Sequence, residues 1–402
     1  MTRWREKDSP NPGRASAGND LNSLPPVTRR DGMPQWDGTV TPEEQANYFA
    51  SYSLLEHHLD LLKDKARVQA YFRAMRENED SFAGKVVLEV GCGLGLLTIL
   101  AARAGARKVY AVEATKAAAA FARRLVQSHG LENVVTVFET TVETLELPEQ
   151  VDVIISEFMG HFLLRESMID SVIFARDRFL KPGGAIFPSH CKMLLAPCSS
   201  QIQVDAKVEA YERALEDFEV VHSYVKETCK VDLVSLWESY EREVRSTVFG
   251  TSLGVEIDPP ELLGSPVVVK EIDLHGATPQ ECVLVDQNFE IKVDRSASAE
   301  DLRRFNLWCG WFQVEFRGSA ENPCAAVVEW DTGPYSERTH WGQEGFILEP
   351  PMDLSGADRV EGTLRMQRKE ENWRLYDVEI ERRATRGGRA LGKQDVDAYS
   401  LS

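Results

Sequence analysis

The sequence predicts an α/β + β architecture: a doubly wound, Rossmann-like parallel sheet, then a β-barrel domain carrying an inserted helical arm. Three observations carry this. From Lys85 to Phe187, apolar runs of strand length alternate with helical segments, as in a parallel sheet with crossover helices. After about Pro188 the period changes to two, in WFQVEFRG, AAVVEW and GTLRMQRKEENWRLYDVEIE, which marks antiparallel strands. The chain has 402 residues, more than one hydrophobic core fills.

Residues 1–42, rich in Pro, Gly, Ser and charge, read as disordered. From Glu43 to about Met75 the pattern is helical, with Tyr48, Phe49, Tyr52, Leu55, Leu59 and Leu62 recurring at three and four. KVVLEV is a strand, and LGLLTILAARAGA a helix stopped by Gly105. KVYAVEA is a strand, and AAAAFARRLVQSHG a helix stopped by Gly130. VVTVFET and VDVIISE are strands, and SMIDSVIFARDRFLKPGG a helix ended by Pro and Gly. Residues 43–187 therefore form the first domain and 188–383 the second. Within the second lies a helical island at about 201–237, with an apolar stripe of Val204, Val208, Tyr211, Leu215, Phe218 and Val225. It either packs on its own domain or docks on a partner. Residues 384–402 read as a flexible tail.

Composition narrows the function. Acids outnumber bases 64 to 46, a net charge of −18, which argues against direct nucleic-acid binding and is read either as solubility alone or as steering toward a cationic partner. The seven cysteines are scattered without a CxxC, which suggests reduced thiols of an intracellular protein and neither a metal site nor a redox motif. The N-terminus lacks a signal peptide, and no uncharged apolar run reaches membrane-spanning length.

The chemistry concentrates in VDVIISEFMGHFLLRESM. An apolar strand ends in Ser156-Glu157, and a second carboxylate, Glu166, follows nine positions on. Ligands of open α/β sheets bind at the carboxyl ends of strands. Two carboxylates returning to such an end form an anionic clamp, whose natural guest is a guanidinium, a planar cationic fork of N–H donors. Upstream, the turn after KVVLEV is Gly91-Cys92-Gly93-Leu94-Gly95, followed by Leu96 where a dinucleotide fingerprint needs glycine. Such a turn suits close backbone approach to a cofactor without a pyrophosphate, and Leu96 disfavours a nicotinamide oxidoreductase. Glu113, ending the next strand, is placed to accept ribose hydroxyls. The residues thus describe a cofactor enzyme acting on arginine.

The glycine turn with Glu113, the SEFMGHFLLRESM loop, YFASY at Tyr48 to Tyr52 and THW at Thr339 to Trp341 resemble the protein arginine methyltransferases over roughly residues 43–383. The long arm and Arg165 resemble a plant-type branch. The resemblance implies S-adenosylmethionine as cofactor and S-adenosylhomocysteine as product. Gly91, Gly93 and Gly95 would border its methionine part, Arg67 would pair with its carboxylate, and Glu113 would take its ribose. Glu143 and the Val142 backbone would meet the adenine, and Tyr48, Phe49 and Tyr52 would belong to a helix closing over it. It further implies homodimerisation through the arm, arginine-containing protein substrates (Arg/Gly-rich proteins or histones), no membrane association, and residence in cytoplasm and nucleus.

A guanidinium stays protonated at neutral pH and must approach a sulfonium, another cation. Glu157 and Glu166 would offset that charge and fix the orientation, leaving catalysis to positioning and preorganised electrostatics. One glutamate, or a His340–Asp64 pair, would receive the product proton. Phe158 and Arg165 stand where the family often has Trp and Tyr. Leu61 stands where asymmetric dimethylators usually carry Met, while Met168 keeps its partner. Leu61, Met168, Arg165 and Trp341 are accordingly expected to control substrate or product, with mono- and asymmetric dimethylarginine as products. The alternative from another class is a catalytically silent scaffold binding arginine-rich proteins.

Overall fold

The computed structural model describes residues 42–294, 296, 302 and 304–401. The N-terminal segment assigned to disorder lies outside them, apart from Pro42, which opens α1 (Pro42–Ser51). The expected helical stretch to Met75 is broken into α1, α2 (Leu55–Lys63) and α3 (Lys65–Arg76). Asp64 makes the second break: it is extended, and its side chain accepts the Arg67 amide as an N-cap. The first break turns Tyr48, Phe49 and Tyr52 toward a cavity, while Leu55, Leu59 and Leu62 stay exposed. The regular repeat thus covers two different faces rather than one buried stripe.

A parallel sheet follows, built from β1 (Val86–Val90), β2 (Lys108–Glu113), β3 (Val135–Glu139), β4 (Val151–Ser156) and β5 (Leu180–Phe187). Its order is β3-β2-β1-β4-β5. Every residue of β1 is buried, as expected of a strand covered on both faces. Helices α4 (Leu96–Arg103), α5 (Lys116–Ser128) and α6 (Ile169–Phe179) provide the crossovers. The strand order reverses direction at β1, so a crevice opens beyond the carboxyl ends of β1 and β4. LKPGG does not end α6 as expected: the helix stops at Phe179, and these residues begin β5. A proline is tolerated there because β5 lies at the sheet edge.

Two antiparallel sheets form the second half. The first contains β6 (His190–Cys198), β7 (Leu253–Val255), β8 (Val267–Asp273), β10 (Phe305–Gly318), β11 (Pro323–Asp331) and β12 (Gln343–Met352). The second contains β9 (Leu284–Lys292), β13 (Arg359–Arg368), β14 (Tyr376–Arg386), β15 (Arg389–Ala390) and β16 (Asp395–Leu401). The flexible tail expected at 384–402 is therefore corrected. β16 pairs with β14 from Tyr376↔Leu401 to Arg382↔Asp395, and Tyr399 and Leu401 are buried. The alternation in DVDAYSL is short and follows a Gly/Arg-rich turn, which masked it.

The two halves share one core. Phe316 of β10 meets Tyr71 of α3 at a ring-centroid distance of 5.0 Å and Phe187 of β5 at 6.1 Å. Phe187 in turn meets Phe82 at 4.9 Å. A buried ion pair adds a polar tie, because Arg368 of β13 grips both oxygens of Asp170 on α6, with Nη2···Oδ1 at 3.1 Å.

The arm is a hairpin of two helices, α7 (Gln201–Cys229) and α8 (Trp237–Phe249), longer than the expected 201–237. The stripe named from the sequence packs internally. Tyr211 meets Phe249 at 5.6 Å, and Phe218 stacks on Tyr240 at 4.9 Å and meets Trp237 at 5.3 Å. Of the two readings left open, these side chains take the first. A different face is left open, with Val220, Val221 and Tyr224 of α7 and Val231, Val234 and Leu236 near the tip all exposed.

Arg368→Met should leave the Asp170 carboxylate buried without its partner, at a cost of about 3–5 kcal/mol. Urea denaturation of the variant beside wild type measures it. An equal midpoint would show that the pair adds nothing to the union of the halves.

Candidate active site

A cavity of about 720 Å³ lies at the carboxyl ends of β1 and β4, roofed by α1 and α2 and walled by the β4–α6 loop. It is lined by Tyr48, Phe49, Tyr52, Leu61, Arg67, Gly91, Gly93, Glu113, Val142, Glu143, Glu157, Glu166, Met168, His340 and Trp341. The sequence-selected residues thus meet here, with three exceptions. Asp64 sits behind His340. Gly95 instead opens α4 in the left-handed region at φ +83°, against Ala122 of α5. Arg165 is not on the cavity wall.

Glu157 follows the last residue of β4 and is held from α3: Arg67 Nη1 donates to its Oε2 at 2.7 Å, while Nη2 donates to the Leu61 carbonyl at 2.6 Å. Glu157 Oε1 and Arg67 Nε are buried without a hydrogen-bond partner among the described residues. Burial pushes the Glu157 carboxyl above its ordinary range; Arg67 and His340 work against this, and Glu166 adds to it. A buried carboxylate oxygen with no donor is a site for a cationic N–H group.

Glu166 is reached by an unusual loop. Phe162, Leu163, Glu166 and Ser167 have φ of +47°, +69°, +75° and +56°, a region L-residues avoid. The loop is anchored by Phe162, whose ring fills the space that Gly310 of β10 leaves open and meets Phe346 at 5.7 Å. Tyr52, in the turn that follows α1, donates its hydroxyl to Glu166 Oε2 at 2.8 Å. Burial raises the Tyr52 and Tyr48 phenols well above their ordinary values, with Glu166 adding to both, so both remain donors.

His340 and Asp64 do pair. Nδ1 lies 2.7 Å from Asp64 Oδ2, and the same oxygen accepts the His340 amide at 3.0 Å. Burial works to raise the Asp64 carboxyl, but hydrogen bonds from His340 and the Arg67 amide hold it below its ordinary value. The neighbouring Trp341 donates Nε1 to the Met159 carbonyl at 3.1 Å, tying the THW segment to the β4–α6 loop.

On the cofactor side, Glu113 Oε2 accepts the Gly93 amide at 2.9 Å, and Oε1 accepts the Thr115 amide at 2.8 Å. Oε1 also accepts the Thr115 hydroxyl at 2.9 Å, so Oε2 is the oxygen that keeps a second lone pair. Glu143 accepts the Ser171 hydroxyl at 2.7 Å. Gly91 and Gly93 have φ of +72° and +50°; a Cβ at Gly91 would strike the Met168 methyl, and one at Gly93 would press His58. The glycine cradle, the two acids and the orphaned Arg67 Nε fit a ligand with a sugar and a carboxylate.

Sequence reasoning missed Glu89, His57, Trp373 and Arg374, all on the cavity wall. Glu89 had a local signal, a charge inside an otherwise apolar strand just before the glycine turn. Trp373 and Arg374 had none, since they come from a hairpin more than 200 residues away. Burial pushes the Glu89 carboxyl up from 4.5 to about 8, although Thr98 donates to it. Between those values the folded protein keeps a proton that the unfolded chain releases, so this group lowers stability as pH rises. Glu89→Gln should therefore gain up to about 4 kcal/mol over wild type at pH 8.5 and nothing at pH 4. Urea midpoints at the two pH values decide it, and an equal gain at both would refute proton uptake at Glu89.

Comparison with known proteins identifies the family. A methyltransferase-domain family model matches residues 87–184, and the arginine methyltransferase oligomerization subdomain matches residues 221–387. Protein arginine N-methyltransferase PRMT10 of Arabidopsis thaliana is 42% identical over 338 residues, 84% of this chain and 86% of the relative. The crystal structure of Arabidopsis thaliana protein arginine methyltransferase 10, described as uniquely open, superposes with a TM-score of 0.84 at 40% identity, covering 88% of this chain and all of the other. A Trypanosoma brucei PRMT1 enzyme–prozyme heterotetramer with AdoHcy aligns at a TM-score of 0.72 and 26% identity, covering 88% of this chain and all of that one. Family models, sequence and fold therefore converge: this chain belongs to the protein arginine methyltransferase family and is an S-adenosylmethionine-dependent protein arginine N-methyltransferase.

Proposed function

We propose that Glu157 and Glu166 are the acceptor clamp of this enzyme and that the products are mono- and asymmetric dimethylarginine in protein substrates. The observation that carries the clamp is the buried, donorless Oε1 of Glu157 in the same cavity as Glu166. S-adenosylmethionine, when bound, supplies an electrophilic methyl group. Glu113, Val142 and Glu143 would hold its nucleoside end, Gly91 and Gly93 would border its methionine part, and Arg67, with Nε free, would meet its carboxylate. The two carboxylates offset the charge of the guanidinium and fix which nitrogen faces the donor. Once substituted, that nitrogen releases a proton. Glu157 is a fitting acceptor, because burial raises its basicity, and the His340–Asp64 pair adjoins it as a further route.

Leu61, Met168 and Trp341 line the cavity, which supports their role in limiting how a methylated arginine turns for a second round. Arg165, off the wall, would act only through the loop backbone. The charge of −18 supports basic substrates such as Arg/Gly-rich proteins or histones in cytoplasm and nucleus. The silent-scaffold alternative is disfavoured by the intact carboxylate pair and glycine cradle.

Glu157→Gln keeps the volume and removes one charge facing the cationic transition state; it should cost about 2–4 kcal/mol, a hundredfold or more in kcat. Methylarginine analysis of an Arg-rich peptide incubated with labelled S-adenosylmethionine measures it. Turnover at the wild-type rate would sink the clamp.

A homodimer fits the open arm face. Val220, Val221, Tyr224, Val234 and Leu236 near the arm tip, and Leu55, Leu59 and Leu62 on α2, are exposed apolar surfaces on one chain. Burying such side chains is worth roughly 1.5–3 kcal/mol each, and a two-fold pairing would seat each arm on the other subunit's α2. That contact would brace the roof of the cofactor cavity. Because Leu215 and Phe218 pack inside the arm, the informative variant is Val221→Asp with Tyr224→Asp. It should be monomeric by light scattering, with weakened cofactor affinity; a dimeric variant would remove the arm tip from the interface.

A further inference from the structure

We infer that Arg374, in the turn between β13 and β14, is a positioning residue that sets the Glu166 backbone and the α1 cover together. This rests on the reading of Glu166 as an acceptor carboxylate. Arg374 and Glu166 exchange two hydrogen bonds: the Glu166 amide donates to the Arg374 carbonyl at 2.7 Å, and Arg374 Nη1 donates to the Glu166 carbonyl at 2.9 Å. The same guanidinium lies 3.5 Å from the centroid of the Tyr48 ring and 5.8 Å from that of Phe49. One side chain therefore touches both the loop that carries Glu166 and the helix that leads directly into Tyr52, which donates to its carboxylate.

The turn is itself rigid. Asn372 Oδ1 accepts the Arg374 amide at 3.0 Å, and the Asn372 carbonyl accepts the Leu375 amide at 3.0 Å. Ser167 donates its hydroxyl to the Trp373 carbonyl at 2.5 Å, and Trp373 rests over the Arg368 guanidinium at 5.3 Å. Glu166 and Ser167 need this support because their φ values of +75° and +56° are disfavoured for residues with a Cβ. Without the clamp the loop relaxes toward ordinary backbone and the carboxylate swings off its aim. Only a planar fork can donate in its plane to a carbonyl while covering an aromatic ring with its face. Arg374 Nε is buried and has no partner among the described residues, so the stack and the carbonyl bond set its position.

Arg374→Ala, Arg374→Lys and Glu166→Gln are compared with wild type in the full chain, with S-adenosylmethionine and an Arg-rich peptide. Arg374→Ala should lower kcat about tenfold or more and raise KM for S-adenosylmethionine, since small misplacements of a catalytic group are costly and the cover loosens. KM does not depend on the folded fraction, so a merely structural loss would leave it unmoved. Arg374→Lys, which keeps the charge without the planar fork, should recover little of either. If Arg374→Ala does not fold, Arg374→Lys alone decides. Kcat and KM within about twofold of wild type in whichever variant folds would overturn the inference. An active Glu166→Gln would instead overturn the reading of Glu166 on which it rests.

Discussion

Desolvated negative charge is the constraint around which this molecule is arranged. Glu157 is taken out of water at the end of β4, and an isolated carboxylate in such a place is costly. The surrounding structure lowers that cost without filling the site. Arg67 covers one oxygen of Glu157 and leaves the other free. Asp64, N-cap of the same helix, orients His340 nearby. Tyr52 covers one oxygen of Glu166 from above. Breaking the N-terminal helical stretch at 52–54 and at Asp64 is what lets one run of sequence supply all of these partners.

The loop between the carboxylates shows the same compromise in backbone terms. Four residues with a Cβ lie in the left-handed region, at roughly 1–3 kcal/mol each for such strain. Such a loop persists only if its surroundings over-determine it. Phe162 under Gly310, Trp341 on the Met159 carbonyl and the β13–β14 turn on Glu166 and Ser167 all come from the second half of the chain. The antiparallel half thus holds the shape of the cavity loop, although it contributes few groups to the cavity wall.

What the sequence made legible follows from how local each signal is. The parallel sheet was readable because strand, glycine turn and helix succeed one another within thirty residues, and the cofactor acids sit at strand ends. The carboxylate pair in one cavity was readable because both glutamates lie in one loop. The arm's packing was not: a stripe at helical spacing shows that a face is buried, not against what, and the hairpin partner α8 took Tyr211 and Phe218. Arg374 was invisible for a related reason. Its partners are more than 200 residues away, and an arginine in a hairpin turn resembles any solvated turn residue until the chain is folded. The C-terminal strand was hidden by the glycines and arginines before it, which outweighed the short alternation of DVDAYSL.

The aromatic chain Phe82–Phe187–Phe316–Tyr71 has a consequence for what the enzyme can act on. A core continuous across both halves cannot open like a jaw, since separating the halves would expose these rings to water. Access must come from the α1–α2 roof, whose movement uncovers the cavity from one side only. The walls of the acceptor pocket then keep their shape while the polypeptide substrate does the adapting. An arginine on a segment that can bend away from its own fold would enter such a pocket at less cost than one braced within a helix face or a tight salt bridge.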